Sequence, residues 1–355
     1  MQKKTKIIIA LSIIPQVIIV KILARYPDFV ENYYSQGIYP FISKLFRYML
    51  GWLPFSFGDL LYALAIVLII RFLIKNGRKF FSSTRVFFTD VFVGVSLVYF
   101  TFHLLWGMNY YRLPLYKSLN IGAQYTTEEL LAFTDLLIDK NNELHRSITN
   151  NDTVAVAIPH SLSEVFKKTP EGYKKLSERY PQFEYTPKSI KKSLFSYPLT
   201  YMGFSGYLNP FTQEGHVDYM IPGHKFPTTS CHEEAHQLGY SAENEANFLG
   251  YLASINNDDA YFKYSGYTFA LRHCLNEISR REPELVDQYL EKVNPGILKN
   301  YEEARQFWRD HKNVFEPLFK LTFNTYLKAN SQSAGIKSYN HVVALLVNYY
   351  KEEAL

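Results

Sequence analysis

Three long apolar runs dominate the first third of the chain. They cover about residues 7–24, 57–74 and 87–107, and each is close to the roughly 20 residues that a helix needs to cross a bilayer. Lys21 and Arg71 lie near the ends of their runs, where a long basic side chain can reach the lipid headgroups. The pattern predicts three transmembrane helices in a membrane domain that covers residues 1–117.

Basic residues mark one side of these runs. Three lysines precede the first run, and four basic residues fill the short connection between the second and the third, at positions 75, 78, 79 and 85. The positive-inside rule places both segments in the cytoplasm, so three spans put everything after Met108 on the opposite side. We expect a multi-pass protein of the inner (cytoplasmic) membrane with an extracytoplasmic C-terminal domain. A cleaved signal peptide is the alternative for the first run, although no small-residue cleavage site follows it.

Helical spacing of apolar residues dominates from residue 118 onward. A helix is predicted to begin at Thr126, a second to cover about residues 161–179, and others to include residues 301–328 and 338–351. Residues 193–221 are aromatic and β-branched, with Gly203, Gly206 and an Asn209-Pro210 break, which predicts strands joined by a tight turn. We therefore expect residues 118–355 to form a mostly helical domain with a small β-sheet, of the α+β class.

The charge distribution argues against nucleic-acid binding. Residues 1–117 carry 14 Lys and Arg against 4 Asp and Glu, a net charge of +10, while the whole chain carries +5, which leaves −5 for residues 118–355. A surface that binds phosphates would need its basic patch on the folded domain. The two cysteines, Cys231 and Cys274, are too few for a disulfide framework, and Cys231 is expected to be a buried thiol.

One segment of the C-terminal part has the spacing of a metal site. His232, Glu233 and His236 form a His-Glu-x-x-His pattern on a predicted helix. Residues four apart share a helix face, so both imidazoles can bind one zinc ion. Glu233 is rotated by about 100° from His232, which leaves its carboxylate free to take a proton from an attacking water. Two histidines alone would fit a packed or solvated pair equally well.

The neighbouring residues are those expected at helix ends. Pro227 is predicted to stop the preceding segment and Thr228 to be the N-cap of this helix, and Gly239 is suited to the left-handed position that ends it. Ser241 is predicted to cap the helix that follows. The connection between the two helices is short, so the chain must turn sharply at Gly239 and Tyr240.

The second helix supplies acidic candidates for a third ligand. A catalytic zinc takes three protein ligands, and a carboxylate is a usual third. Glu243 and Glu245 are the rivals, and because they point about 200° apart only one of them can face the metal. Asn247, one turn after Glu243, can hydrogen-bond a ligand imidazole.

The segments His-Glu-Glu-Ala-His and Glu-Asn-Glu-Ala-Asn-Phe together resemble the gluzincins, whose third ligand is the first glutamate of an ExxxD or ExxAN segment. The resemblance assigns His232, His236 and Glu243 as zinc ligands, Glu233 as general base and Asn247 as the partner of a ligand histidine. Ala242 stands where a metzincin has its third histidine, which argues against that branch.

Three spans followed by such a domain are also similar to a bacterial family of uncharacterised membrane proteins with an HExxH core, over nearly the whole chain. The resemblance implies a membrane-anchored zinc metallopeptidase with a zincin-like domain, a Zn²⁺ cofactor, a peptide or protein substrate and contact with the lipid bilayer. A zinc-stabilised membrane scaffold or sensor without turnover is the competing hypothesis.

Substrate contacts can be anticipated upstream of the metal motif. Zincins present an edge strand to which a peptide substrate pairs, and residues 206–221 are placed to provide it, although an ordinary hairpin fits as well. Asn209, Thr212 and Glu214 lie near its turn. His216 and His224 are expected at the surface.

A zinc peptidase also needs a group that stabilises the oxyanion. Tyr339 is the first candidate. His341 and the Arg272-His273 pair are the alternatives.

Overall fold

The computed structural model describes residues 2–330, 332 and 341–351 of the chain. These residues are mostly helical, and they include one small three-stranded sheet. The α+β class predicted from the sequence is confirmed.

The N-terminal part is helical almost throughout. Its helices are α1 (Lys3–Leu11), α2 (Ile13–Leu23), α3 (Pro27–Phe29), α4 (Tyr39–Leu50), α5 (Phe57–Asn76), α6 (Lys79–Ser82), α7 (Thr84–Leu105) and α8 (Leu115–Ser118), with a π-helical stretch at Val30–Ile38. Three segments are long and apolar enough to cross a membrane, namely α1 with α2, α5, and α7. They match the three predicted runs to within a few residues at each end.

Polar side chains of the first and third of these segments contact one another. The Ser12 hydroxyl lies 2.9 Å from that of Ser96, and Gln16 Nε2 donates to Ser96 Oγ at 2.9 Å. Lys6 pairs with Asp90 at the far end of the same two segments. The outward side chains are apolar and more than half exposed, as at Leu68, and a surface of that kind suits contact with lipid.

The C-terminal part continues the chain order of helices. They are α9 (Thr127–Thr149), α10 (Leu162–Arg179), α11 (Ser196–Met202), α12 (Phe226–Gln237), α13 (Glu243–Ile255), α14 (Ala260–Arg281), α15 (Val286–Glu291), α16 (Pro295–Asp310), α17 (Glu316–Ala329) and α18 (Val342–Tyr349). Helix α9 begins where predicted, with Thr126 Oγ1 accepting from Glu129 N. The predicted helical region at 301–328 is divided between α16 and α17.

Three short strands form the sheet. They are β1 (Ile190–Lys192), β2 (Gly206–Asn209) and β3 (Glu214–Val217), in the order β1-β3-β2. Strand β3 pairs with β1 in parallel and with β2 antiparallel, in a register that places Gly206 opposite Val217. The hairpin was predicted, but the strand prediction is wrong for residues 196–202, which form α11. The aromatic residues that suggested a strand there, Tyr197 and Tyr201, lie on the exposed side of this helix.

The sheet binds the start of helix α5. Glu214, at the end of the hairpin turn, accepts hydrogen bonds from Phe57 N at 3.2 Å and Gly58 N at 2.5 Å. Asp59 accepts from Leu194 N at 2.6 Å. A carboxylate at a helix N-terminus is stabilised by the free amides and by the helix dipole. Glu214 therefore connects the C-terminal part to a membrane helix.

The connection between the first two membrane segments also packs against the C-terminal part, which the sequence pattern did not predict. The hydroxyls of Tyr39 and Ser43 donate to Gln237 O, the last residue of α12, at 2.9 and 2.8 Å. Glu31 and Arg112 form a buried ion pair at 2.7 Å. Residues on both sides of the predicted boundary at 117 thus share one packed region. The boundary itself stays a prediction.

Candidate metal centre

Helix α12 carries the His-Glu-x-x-His motif. It begins at Phe226, with Lys225 in the N-cap position and Pro227 in the first turn, so the prediction that Thr228 caps it is wrong. The reason is that the Thr228 hydroxyl is buried inside the helix packing and donates to Ser265 Oγ at 2.9 Å. The motif lies on a helix, as predicted, and occupies its second half.

A tight turn connects α12 to α13. Gly239 has φ +87°, a left-handed conformation that glycine adopts without steric cost, and a Cβ there would lie 2.8 Å from the Tyr39 ring. Arg112 donates to Gly239 O at 2.9 Å and stacks over the Tyr240 ring at 4.0 Å. The prediction that Ser241 caps α13 is wrong, because its hydroxyl donates to Asn109 O instead and Ala242 is the N-cap residue.

The turn brings three donor groups together. The Glu243 Oε2 atom lies 3.4 Å from His232 Nε2 and 3.7 Å from His236 Nε2, and one ligand atom from each of the three residues lies within 4.8 Å of the others. The two imidazole rings are 4.7 Å apart and nearly perpendicular. His232 and His236 therefore meet Glu243, as the sequence predicted for a metal site.

The spacing of these donors fits a tetrahedral ion. Donors 2.0–2.2 Å from a zinc ion at tetrahedral angles would lie about 3.3–3.6 Å apart, and the separations of 3.4 and 3.7 Å are close to that. Glu243 Oε2 is buried without a hydrogen-bond partner among the described residues. Two imidazole nitrogens and a carboxylate are also a donor set that zinc prefers. The residues fit a zinc ion.

The electrostatics of the three residues favour a cation between them. Burial on its own would raise the pKa of Glu243, but the two histidines beside it hold that pKa well below its usual range. Burial likewise opposes a charged His236, and the Glu243 carboxylate outweighs it, raising the pKa of His236 to about 9. The carboxylate therefore stays ionised and attracts positive charge to this point.

An outer contact fixes the orientation of His236. The His236 Nδ1 atom lies 2.7 Å from Tyr240 O. A carbonyl can only accept, so Nδ1 carries a proton and Nε2 is the nitrogen that faces Glu243. Asn247 and His232 line the same cleft, but Asn247 Nδ2 and His232 Nδ1 are both buried without a hydrogen-bond partner among the described residues. The hydrogen bond between Asn247 and a ligand histidine stays a prediction.

The carboxylate of Glu245, the alternative third ligand, faces away from the donor cluster. Glu245 Oε1 accepts a hydrogen bond from Leu115 N at 2.6 Å, and its neighbours include the buried pair of Arg112 with Glu31. Glu245 is therefore outside the donor cluster. Of the two glutamates that the sequence left open, Glu243 is the one in place.

Glu233 is buried beside the donor cluster and packs against the edge strand. A Cβ at Gly206 would lie 2.4 Å from Glu233 Oε1, so the carboxylate fills the space that a side chain on strand β2 would occupy. Its Oε2 has no hydrogen-bond partner among the described residues. Burial raises the pKa of Glu233 to about 8, with His236 opposing the rise and Glu243 adding to it.

The donor cluster opens onto a large cleft. The cleft has a volume of about 1800 Å³, and His232, Glu233, His236 and Glu243 all line it. One wall is strand β2, an edge of the sheet. Tyr62 and Ile66 of α5, one of the three segments long and apolar enough to cross a membrane, line the same cleft.

Several secondary candidates lie elsewhere than predicted. His216 and His224 are buried, which makes the surface prediction wrong: His216 lies 2.6 Å from Ser56 Oγ, and His224 lies 3.5 Å from Glu303. His341 is exposed at the start of α18. Tyr339 is outside the described residues.

The structure adds three aromatic residues whose place at the site sequence reasoning missed. Tyr326 of α17 lines the cleft, and Tyr110 donates to its hydroxyl at 3.2 Å. Burial raises the pKa of Tyr326 to about 12, and the Glu243 carboxylate contributes to the rise. Trp106 Nε1 donates to His236 O at 3.2 Å. No sequence motif distinguishes these residues among 29 tyrosines and 3 tryptophans.

Comparison with known proteins gives one match. No curated protein and no solved structure matches the chain. A family model does match, and it covers residues 34–347, which include the second and third apolar segments, the donor cluster and the helices that follow it. The chain belongs to the family described as "Protein of unknown function (DUF3810)".

Proposed function

We propose that the protein is a membrane-anchored, zinc-dependent peptidase. The observation that carries this proposal is the convergence of His232, His236 and Glu243 beside the buried carboxylate of Glu233, at the wall of a cleft large enough for a polypeptide. Peptide hydrolysis needs a Lewis acid, a base for the attacking water and a groove for an extended chain. This site has residues suited to each of those roles.

Each role in peptide hydrolysis is assigned to particular residues of this chain. His232, His236 and Glu243 would hold the zinc ion, and a zinc ion supplies Lewis acidity toward water and the substrate carbonyl. Glu233 takes the proton of the attacking water and returns it to the leaving amine nitrogen. Tyr326 lines the same cleft and accepts a hydrogen bond from Tyr110, and its hydroxyl would donate to the carbonyl oxygen as negative charge develops there.

Strand β2 suits the role of substrate guide. It is an edge strand, and Ser205, Gly206, Tyr207 and Leu208 line the cleft beside Glu233. An extended peptide can add to such an edge through backbone hydrogen bonds. The scissile bond would then lie next to the base and the donor cluster.

The charge pattern supports an extracytoplasmic active site. The basic ends of the three membrane segments, at residues 3–6 and 75–85, are the ends away from the donor cluster, whereas Phe57 and Trp106 at the opposite ends contact the C-terminal part. By the positive-inside rule the basic ends are cytoplasmic. We propose that the enzyme acts outside the cytoplasm, in a bacterial inner membrane.

The open cleft favours catalysis over a purely structural zinc site. In structural sites four protein ligands close the coordination shell, whereas catalytic sites keep one position open. All three donors line the cleft, and among the described residues they form a cluster of three.

The proposal is tested with the full-length protein in detergent and a mixed peptide library. We expect hydrolysis that a chelator abolishes and that one equivalent of Zn²⁺ restores, with the amide bond as the point of cleavage by mass spectrometry. A protein that binds one zinc per chain and hydrolyses no peptide would contradict the proposal and favour the scaffold alternative.

Gly206 provides a test of the position of Glu233. Replacing Gly206 with Ala would push a methyl group into the Glu233 carboxylate, because the ideal Cβ position lies only 2.4 Å from Oε1. Misplacing a catalytic group by about 1 Å costs on the order of 100-fold in rate. We expect Gly206→Ala to lower kcat by about that factor while zinc content stays at one per chain. Gly94→Ala is the matched control, because nothing lies within 4 Å of a Cβ at that position, and it should leave kcat unchanged.

A further inference from the structure

We propose that the cleft contains a second binding site, formed by Lys225 and Arg272, that receives a carboxylate group of the substrate. The nature of the substrate rests on the proposed peptidase function. The site itself stands on the charges and contacts of the cleft wall.

Among the described residues, more basic than acidic side chains line the cleft. Apart from Glu233 and the donor cluster, one acidic residue, Glu316, lines the cleft together with six basic residues, which are Lys225, Arg272, Arg305, Arg309, Lys312 and Lys320. An excess of one sign inside a low-dielectric cleft raises the local concentration of opposite charge. The cleft therefore attracts anionic groups.

Most of these basic residues are satisfied without a ligand. Arg305 and Arg309 pair with Glu302, and Lys320 pairs with Glu316. Lys312 is exposed to solvent. Lys225 and Arg272 differ, because both are half-buried and neither has an acidic partner within 4 Å among the described residues.

The surroundings of Lys225 and Arg272 do not supply the missing charge. Lys225 Nζ lies 5.3 Å from the centre of the Trp308 ring, and Arg272 Nη2 lies 3.5 Å from the neighbouring His273. Burial, together with repulsion from Arg272, lowers the pKa of Lys225 to about 7. Two partly buried basic groups on one cleft wall disfavour each other's charge unless an anion joins them.

Asp218 opposes the fall in the pKa of Lys225, but neither its carboxylate nor that of Glu303 forms an ion pair with Lys225 or Arg272 among the described residues. Asp218 accepts hydrogen bonds from Thr200 Oγ1 at 2.5 Å and from Met220 N at 2.9 Å. Glu303 lies 3.5 Å from His224 and accepts from Asn300. The place between the cleft and the two cations is therefore free for an anion from outside the chain.

The position of Lys225 relates this site to the metal centre. Lys225 is the N-cap residue of α12, seven positions before His232, so the two backbone positions are separated by roughly 10 Å along the helix axis. Thr228 and Thr229, between them, also line the cleft. An extended peptide rises about 3.3 Å per residue, so the recognised carboxylate would lie about three residues from the scissile bond. It belongs either to an acidic side chain or to the C-terminus.

The test measures peptide binding without turnover. Full-length Glu233→Gln protein, and wild-type protein freed of metal as a second non-hydrolysing form, are titrated into labelled peptides by fluorescence anisotropy. One peptide set exchanges Glu for Gln at each position in turn, and the other exchanges a C-terminal carboxylate for an amide. A hydrogen-bonded charge contributes about 1.5–3 kcal/mol, so we expect one carboxylate position to bind roughly 10- to 100-fold more tightly than its neutral isostere.

Variants of Lys225 and Arg272 show whether these two residues cause the preference for carboxylate peptides. Arg272→Gln and Lys225→Gln should each reduce the ratio of the Kd of the neutral peptide to the Kd of the carboxylate peptide toward 1. Arg280→Gln is the control and should keep the ratio of its parent. Arg280 lies on the same helix outside the cleft and pairs with Glu277. Arg272→Gln should unfold at the same temperature as its parent or above it, because Arg272 forms no ion pair with a carboxylate in the part of the chain that the structure describes. A residue with only a structural role would lower that temperature.

Two results would overturn the carboxylate site. One is the absence of carboxylate-dependent binding in the parent proteins, and the other is a preference that persists in both variants. The two peptide sets distinguish an acidic side chain from a C-terminus. If carboxylate peptides bind as expected but the wild-type zinc protein cleaves none of them, the peptidase function fails while the carboxylate site stands.

Discussion

Glu233→Gln should bind zinc as the wild type does and should lose peptide hydrolysis by about 10²–10⁴-fold in kcat, the range expected when a general base is removed. The amide has the same shape as the carboxylate, so it fits the space beside Gly206. It cannot take a proton from the attacking water. The measurement is kcat on a cleaved library peptide, with zinc content determined on the same sample.

The neighbouring residue provides the matched control. Glu234 is also buried on α12, but its carboxylate accepts from Thr169 Oγ1 at 2.5 Å and does not line the cleft. Glu234→Gln keeps an oxygen that can accept this hydrogen bond, so activity close to the wild type is expected. Equal losses in the two variants would show a general effect on helix α12, and wild-type turnover by Glu233→Gln would exclude it as the base.

Glu243→Gln should release the metal. The variant replaces the carboxylate whose Oε2 lies 3.4 and 3.7 Å from the two histidines with a neutral amide, which is a much weaker ligand for zinc. Losing an outer contact of a zinc site already costs 10- to 100-fold in affinity, so losing a ligand should cost more than about 100-fold. Zinc affinity is measured by competition with a chromogenic chelator, and hydrolysis should fall in proportion to zinc occupancy.

Glu245→Gln is the control for this substitution. It makes the same change two residues away, on the other side of α13, and a glutamine oxygen can still accept from Leu115 N. Zinc affinity should match the wild type. If Glu245→Gln lost the metal and Glu243→Gln kept it, the choice between the two glutamates would be reversed.

The part of the site that depends on helix period was accessible from the sequence. The four-residue spacing of His232 and His236 fixes a shared helix face whatever surrounds it. Gly239 marks the end of α12 because its left-handed backbone suits glycine. The choice between Glu243 and Glu245 was different, since spacing shows only that they point apart, and the structure resolves it through the contact of Glu245 with Leu115.

The parts that depend on long-range contacts could not be predicted. Nothing local to Tyr39 or Trp106 shows that they hydrogen-bond α12, because their partners are more than 100 residues away. His216 was expected at the surface, since a lone histidine is usually solvated, whereas pairing with Ser56 and stacking on Tyr207 bury it. Such contacts depend on how the helices pack against one another, and the local pattern of a single sequence does not reveal that packing.

Zinc X-ray absorption on the full-length, zinc-loaded protein tests most directly whether His232, His236 and Glu243 hold one ion. The expected spectrum has only nitrogen and oxygen ligands, at about 2.0–2.2 Å, with the multiple scattering of two imidazoles, at one zinc per chain. Glu243→Gln should lose this signal. A sulfur ligand at about 2.3 Å, or the same spectrum in a protein that lacks both histidines, would contradict a metal centre at the junction of α12 and α13.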